Sequence, residues 1–194
     1  MSESQCAVGD WETIGYRDGV NGQRSTRLLA HQDACMKHGF SPDREEYMLG
    51  WEQGVREYCD PNNGFHIGSR GGNHANVCPS DLKAGFLTAY RDGKTLYDAR
   101  LAVANLEWEI DQKTNRLAEV KSQIVSVAAA QLSTELTAAD RIELGDQLRR
   151  LYEEQELLKD EIPELEARLA DKSRELDALN RAMASLTPVV GSVP

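Results

Sequence analysis

Two series of apolar residues with the alternating four-and-three spacing of a coiled coil dominate the second half of the sequence. The later series begins at Leu144 and is interrupted only at Gln155 and Lys172. The earlier series begins at Val103 and is interrupted only at Lys113. Apolar residues repeated in this way form the buried seam between packed helices. The second half is therefore predicted to consist of two long helices.

The segment between the two series predicts a turn. The spacing is lost over residues 128–140, AAAQLSTELTAAD, and Thr137 and Asp140 have the positions of a helix N-cap and its partner three residues later. We therefore expect the chain to turn at about 128–138 and a second helix to begin there.

The polar interruptions of the two series predict how the helices face each other. Folding the chain back near residue 134 places Lys113 opposite Gln155, so that the two polar residues share one layer. A buried polar layer fixes the register of a coiled coil. We therefore predict an antiparallel hairpin over residues 97–187, whose heptads continue in phase through Pro163. A parallel dimer of single long helices is the alternative, and it leaves this match unexplained.

All four cysteines lie in the first 80 residues and predict two disulfides there. Of the three possible pairings we favour Cys6 with Cys35 and Cys59 with Cys78, because the second bridge closes the loop between its cysteines. Disulfides indicate an oxidising compartment. Four buried thiols in a cytosolic protein are the alternative.

A unit of one small residue, one aromatic residue, two polar residues and one glycine occurs three times in the first half. It reads GYRDG at 15–19, GWEQG at 50–54 and AYRDG at 89–93. A small residue four positions before a glycine lets another helix backbone approach closely, and the neighbouring aromatic ring fills the adjacent groove. We therefore expect three helices that pack on one another. The predicted helix-contact residues are Gly15, Gly19, Gly50, Gly54, Ala89 and Gly93.

The remaining stretches complete the predicted organisation. Residues 25–39 predict a short helix with Leu28, Leu29 and Cys35 on its inner side, and residues 60–77 are rich in glycine and asparagine and predict a loop. The predicted fold is all-α: a small disulfide-tied helical module with small-xxx-Gly helix contacts over residues 1–96, then the long antiparallel coiled-coil hairpin. A flexible tail is predicted over the last residues, 188–194.

Seven stretches of the first half, with their glycine, aromatic and cysteine positions in order, resemble the domain of unknown function 2799 family of bacterial envelope lipoproteins. The stretches are CAVGDW (6–11), IGYRDGVNG (14–22), HQDACMKHG (31–39), YMLGWEQGVREYC (47–59), NGFHIG (63–68), VCPSDL (77–82) and FLTAYRDGKTLY (86–97). The resemblance covers about residues 6–97. It implies export, a lipidated cysteine upstream of this chain's start, and a periplasmic, outer-membrane-anchored protein. The family brings no established activity.

The charge of the chain bears on its partners. With 22 Lys and Arg against 32 Asp and Glu, the formal net charge is −10, which argues against nucleic acid or an anionic membrane surface as the main partner. The apolar runs are shorter than the roughly 18 residues that span a bilayer. We therefore expect membrane attachment only through a lipid anchor.

No catalytic residues and no cofactor are predicted. The sequence has no nucleophile elbow such as GxSxG. His31, Cys35 and His38 on one short helix, with His66 and His74 in the glycine-rich segment, permit a metal or small-ligand site. The simpler interpretation is a disulfide cysteine beside surface histidines, and no metal site is predicted.

The predicted hairpin tip carries apolar residues where the two helices run out of partners. These are Val125, Val127, Leu132 and Leu136. An exposed apolar patch is a candidate docking point for a protein partner, while the alternative is that these side chains merely close the turn. We expect a non-enzymatic periplasmic structural or adaptor protein that binds a partner of a cell-envelope assembly. The alternatives are a small-ligand or metal-binding module and a self-assembling coiled-coil scaffold.

Overall fold

Seven helices make up the part of the chain that the computed structural model describes, residues 2–186, and the predicted tail at 188–194 lies outside it. The all-α prediction is confirmed, because this range contains no strand. None of its helices combines the length and the apolar character that crossing a membrane requires. The helices are α1 (Glu3–Val8), α2 (Trp11–Val20), α3 (Arg27–Met36), α4 (Arg44–Tyr58), α5 (Pro61–Ser69), α6 (Ser80–Ala130) and α7 (Ala138–Leu186).

The chain divides into two compact units, of which the first ends at Asp98 and the second begins at Ala99. We call the first the cysteine module and the second the hairpin. Helix α6 contributes its early turns to the module and its later turns to the hairpin.

Aspartates start three of the module's helices. Asp10 accepts a hydrogen bond from the Thr13 backbone at 3.1 Å, and Asp60 accepts one from Asn62 at 2.8 Å, next to a proline in the first turn. Asp43 accepts bonds from two backbone amides of α4. Such side chains satisfy amide groups that have no partner inside the helix. Helix α2 spans Trp11–Val20 and contains the GYRDG unit.

Helices α2 and α4 pack backbone against backbone through four glycines. A Cβ at Gly50 would lie 1.9 Å from the carbonyl oxygen of Glu12, a distance that no side chain tolerates. The same close approach holds from the other helix, where a Cβ at Gly15 would lie 2.0 Å from the Tyr47 carbonyl oxygen. The predicted contact residues Gly15, Gly19, Gly50 and Gly54 all lie in this interface.

Helices α5 and α6 form a second pair of the same kind, which the sequence analysis missed. A Cβ at Gly68 would lie 2.1 Å from the Tyr90 carbonyl oxygen, and one at Gly93 would lie 2.2 Å from the Phe65 carbonyl oxygen. The predicted loop over 60–77 is wrong for residues 61–69, which are helix α5. The prediction that three helices pack together through these units is therefore right for α2 and α4, but the unit of α6 packs on α5 instead. Helix α5 supplies a fourth unit, GFHIG at 64–68, and the four units pair two by two.

The two pairs match in detail beyond their glycines. Helix α2 is followed by Gly22 at φ +68° and α5 by Gly71 at φ +74°, each a left-handed turn that suits glycine. The residue after each of these glycines accepts a hydrogen bond through its carbonyl oxygen from the aromatic residue of the partner unit. Trp51 Nε1 donates to Gln23 at 2.8 Å, and the Tyr90 hydroxyl donates to Gly72 at 3.0 Å. The cysteine module is thus an internal repeat of two helix pairs.

The two disulfides have the predicted pairing. Cys6 of α1 bonds Cys35 of α3, and Cys59 bonds Cys78, with Cα atoms 5.5 Å apart in both bridges. The first bridge packs with Trp11 and Tyr47 in one buried cluster. Cys59 packs in a second cluster, whose members are Val55, Tyr58, Cys59 and Phe86. The first disulfide therefore lies in the core of the first helix pair, and the second lies in a core that joins α4 to α6.

One predicted inner residue of α3 is wrong. Leu28 packs against the first cluster and Cys35 is fully buried, but the side chain of Leu29 is 61% exposed. The helix is short and spans Arg27–Met36. It presents its inner face through Leu28 and Cys35, and Leu29 follows on the outer side.

The hairpin is built on the predicted seam. A buried cluster joins Val120 and Ile124 of α6 to Leu151 and Leu158 of α7. The α6 residues Lys113 and Arg116 reach across to α7, where Lys113 bonds Glu161 at 2.7 Å and Arg116 bonds Glu154 at 2.7 Å. Later residues of α6 thus meet earlier residues of α7, as an antiparallel hairpin requires.

The predicted register layer and the proline both lie within this packed hairpin. Lys113 and Gln155 are half-buried, and the ammonium group of Lys113 is bonded to Glu161, a partner that the prediction did not name. Helix α7 continues through Pro163, and Leu165 just beyond it is buried. The backbone bond that proline removes therefore does not end the helix.

Candidate interaction surface

The hairpin tip is the loop 131–137 with the adjoining turns of α6 and α7. Thr137 caps α7 in the predicted way, because its hydroxyl accepts a bond from the Asp140 amide at 3.2 Å while the Asp140 carboxylate accepts from the Thr137 amide at 2.9 Å. Arg141 also holds the loop, donating to the carbonyl oxygens of Gln131 and Ser133. The tip is thus fixed by bonds of its own.

The four predicted tip residues separate into two groups. Val125 is 70% exposed and Leu132 is 83% exposed. Val127 packs against the hairpin's buried cluster, and Leu136 is half-buried. Ile142, which sequence reasoning did not select, is 69% exposed near the start of α7. Val127 therefore helps to close the hairpin, while Val125, Leu132 and Ile142 offer apolar surface to solvent.

Other exposed apolar side chains lie along the hairpin away from its tip. They are Leu101, Trp108, Tyr152 and Leu157. Sequence reasoning missed them because it followed the seam. The available indication was that Trp108 lies five positions after the seam residue Val103, on the outward side of α6, and that Leu101 lies seven residues before Trp108 on the same side.

A polar cluster lies inside the cysteine module, centred on the aspartate of GYRDG. The Asp18 carboxylate accepts a bond from the Tyr47 hydroxyl at 2.8 Å, lies 2.8 Å from His31 Nε2 and forms an ion pair with Arg27 at 3.3 Å. Burial, and then the bond to Asp18, raises the pKa of Tyr47. One carboxylate of α2 thus ties together residues of α3 and α4.

The second helix pair has apolar residues where the first has this cluster. By the glycine positions, Ile67 corresponds to Asp18, and Phe86 corresponds to Tyr47. Ile67 packs against the cluster that contains Phe86, and Phe86 is 1% exposed. The helix-pair architecture therefore forms with either a polar or an apolar contact at this place.

Three of the residues considered as metal ligands make other contacts. Cys35 is bridged to Cys6, His31 contacts Asp18, and His74 packs edge-on against the Tyr90 ring with centroids 4.8 Å apart. Across residues 2–186, no group of three or more His, Cys, Asp or Glu is arranged to hold a metal ion.

An open groove of about 710 Å³ lies on the module between the loop after α2 and the second helix pair. Its polar lining includes Arg24, Arg27 and Asn73, and its apolar lining includes Tyr58 and Ile67. Two arginines at one groove would suit a small anion.

Comparison with known proteins gives one match. The family model described as a protein of unknown function (DUF2799) matches residues 10–95. No curated protein and no solved structure matches the chain significantly. The matched range contains α2 to α5 and the first turns of α6, and it ends shortly before the hairpin begins at Ala99. The cysteine module of this chain therefore matches the DUF2799 family model, which confirms the resemblance found in the sequence.

Proposed function

We propose that this protein is a non-enzymatic structural or adaptor protein of the bacterial cell envelope, and that the tip of its hairpin binds a protein partner. In this proposal the cysteine module supports the hairpin, and the hairpin presents the binding surface. The residues that would contact the partner are Val125, Leu132 and Ile142.

The exposure of Leu132 and Val125 is the observation that carries the proposal. Exposing an apolar side chain to water is unfavourable, and burying one against a partner stabilises the complex by about 1.5–3 kcal/mol. The turn is held by the Thr137 cap and by Arg141, so little ordering would be needed on binding. A rigid tip with apolar side chains favours docking into a groove of a partner.

The proposed location is the periplasmic face of the outer membrane, with a lipid anchor as the membrane attachment. Two disulfides support an oxidising compartment, where such bridges form and persist. The net charge of −10 suits a protein partner with basic residues better than an anionic membrane surface.

The proposal is tested by making the tip polar. Leu132→Ser combined with Val125→Ser should abolish co-purification of the envelope partner, while helix content and melting temperature stay close to those of the unchanged protein. Leu157→Ser is the matched control, because Leu157 is also an exposed leucine, 56% accessible, but lies on α7 away from the tip. Equal retention of the partner by the tip variant and the control would overturn the proposal.

A second candidate function rests on the groove at Arg24 and Arg27, which favours a small anionic ligand. Calorimetric titration with inorganic phosphate and with citrate would reveal such a site, and Arg24→Gln should remove the binding. The absence of heat with both anions would argue against this candidate.

A further inference from the structure

The outward side of α6 within the hairpin carries an apolar stripe that lies away from the tip. Leu101 is 44% exposed and Trp108 is 66% exposed, and Ala104 between them is exposed as well. Residues seven apart lie on the same side of a helix, and Ala104 is one turn from each of the other two. Tryptophan is the residue most often found at the energetic centre of protein interfaces.

Two opposite charges flank this stripe with the same seven-residue spacing. Arg100 precedes Leu101 by one position, and Glu107 precedes Trp108 by one position, so both charges lie on the same flank. Both side chains are exposed, and neither takes part in an ion pair among residues 2–186. Their charges are therefore available to a partner.

We propose that this face binds a second copy of the chain, with the two α6 helices antiparallel. A two-fold axis near Ala104 would place Leu101 of one copy against the partner's Trp108. The same axis would place Arg100 beside the partner's Glu107, twice per dimer. The small side chain of Ala104 would lie at the axis, where two backbones come closest. A patch that meets itself about a two-fold axis in this way is an isologous interface.

Charge complementarity selects both the occupant and the direction. In a parallel two-fold arrangement the flank that carries Arg100 and Glu107 would face the opposite flank of the partner's α6, so Arg100 would not meet the partner's Glu107. The antiparallel arrangement pairs every charge with its opposite. Because the stripe covers only about two helical turns, it buries less than the roughly 800 Å² per partner of a standard interface. We expect a weak dimer, with Kd on the order of 100 µM.

This inference goes beyond the proposed function and uses different residues, so that each can fail alone. Sedimentation equilibrium of the full chain at about 150 mM salt, from about 10 µM to 1 mM, measures the dimer directly. Trp108→Ser, Arg100→Glu and Glu107→Arg should each weaken dimerisation about tenfold or more. The double variant Arg100→Glu with Glu107→Arg should return to within about threefold of the unchanged chain, because the exchanged charges pair again.

Two controls separate this interface from general effects. Lys121→Glu makes the same change in net charge as Arg100→Glu at another exposed position of α6, and it should leave the dimer unchanged. Leu132→Ser should also leave it unchanged, since the tip is not part of this face. The proposal is overturned if the unchanged chain stays monomeric up to 1 mM, if the double charge exchange fails to restore dimerisation, or if Lys121→Glu weakens it as much as Arg100→Glu.

Discussion

Single glycines decide whether the helices of the cysteine module can meet. At Gly50 a Cβ would lie 1.9 Å from a backbone oxygen of α2, and at Gly68 it would lie 2.1 Å from one of α6. A backbone atom cannot move aside as the end of a flexible side chain can. The interhelical distance itself therefore requires glycine at these positions, at the cost of about 1 kcal/mol that glycine brings to a helix interior.

Alanine substitution should thus have opposite effects at two helical glycines. Gly50→Ala should lower the free energy of unfolding by about 3 kcal/mol or more, because α2 and α4 must separate. Gly145→Ala on α7 should raise it by up to about 1 kcal/mol, because the nearest atom to its Cβ is a side-chain nitrogen 3.8 Å away. Urea unfolding followed by circular dichroism measures both. A Gly50→Ala variant as stable as the unchanged protein would refute the close-packing account.

The first helix pair has a polar contact at Asp18, and the second helix pair has an apolar contact at the equivalent position. Asp18→Ile alone should destabilise by about 2 kcal/mol or more, since it leaves the buried Tyr47 hydroxyl without its acceptor. Adding Tyr47→Phe reproduces the Ile67 and Phe86 arrangement and should recover most of that loss. A double-mutant cycle from denaturant unfolding gives the coupling energy. Additive effects of the two substitutions would show that the two repeats are not equivalent here.

At the scale of helices, the sequence predicted those features that a single pattern of residues determines. The heptad series predicted the hairpin, and the cap residues Thr137 and Asp140 predicted where α7 begins. Cysteine count and spacing predicted the bridges. Helix α5 was missed because glycine and asparagine are poor helix formers, and here close packing on α6 outweighs that propensity. Its GFHIG stretch fits the spacing of the other units, but with a histidine and an isoleucine where they have polar pairs.

The site residues were also predicted only where a single pattern of residues determines them. The sequence identified where apolar residues lack a partner at the tip, and Val125 and Leu132 are exposed there. The four-and-three spacing also places Val127 on the seam of α6, three residues after Ile124, and that position explains why it packs against the hairpin's cluster. The Asp18 cluster joins residues far apart in sequence, and no spacing rule connects them.

Acid should weaken the hairpin by protonating two of its carboxylates, those of Glu154 and Asp140. The Arg116 side chain, bonded to Glu154, lowers the pKa of that carboxyl, and the Thr137 side chain lowers the pKa of Asp140. Because both pKa values are lower in the folded than in the unfolded chain, the stabilisation from the two carboxylates is complete above about pH 5.5 and is lost as the pH falls through the folded values.

The comparison of two glutamine variants isolates this effect. Between pH 7 and about pH 3, the melting temperature of Glu154→Gln should fall less than that of the unchanged protein. The difference should correspond to about 0.5 kcal/mol or less, as for an exposed ion pair. Glu166→Gln is the control, since Glu166 is exposed and outside the ion pairs with α6. Identical acid profiles for Glu154→Gln and the unchanged protein would contradict the assignment.

At the scale of the whole molecule, the two units are stabilised by different means. The cysteine module has both disulfides and the glycine contacts, and the hairpin has the leucine-rich seam and no cysteine. Each native bridge in a small domain is worth about 2–5 kcal/mol. A reductant should therefore act on one unit and spare the other.

Hydrogen exchange with and without a phosphine reductant tests this difference. Amides within residues 2–98 should lose protection by a factor that corresponds to about 3 kcal/mol per bridge, while amides within residues 99–186 keep theirs. The variant Cys59→Ser with Cys78→Ser should reproduce the effect without reductant in the second helix pair. Equal loss of protection in both units would mean that they unfold as one.

The most direct measurement of the central claim is photocrosslinking in living cells from a photoreactive residue at position 132. If the tip docks a partner, position 132 should give one discrete protein adduct that mass spectrometry identifies, and Val125→Ser in the same chain should reduce it. The same photoreactive residue placed at position 157, on α7 away from the tip, should not give that adduct. No adduct at position 132, or the same adducts from positions 132 and 157, would contradict the claim that the tip is the binding surface.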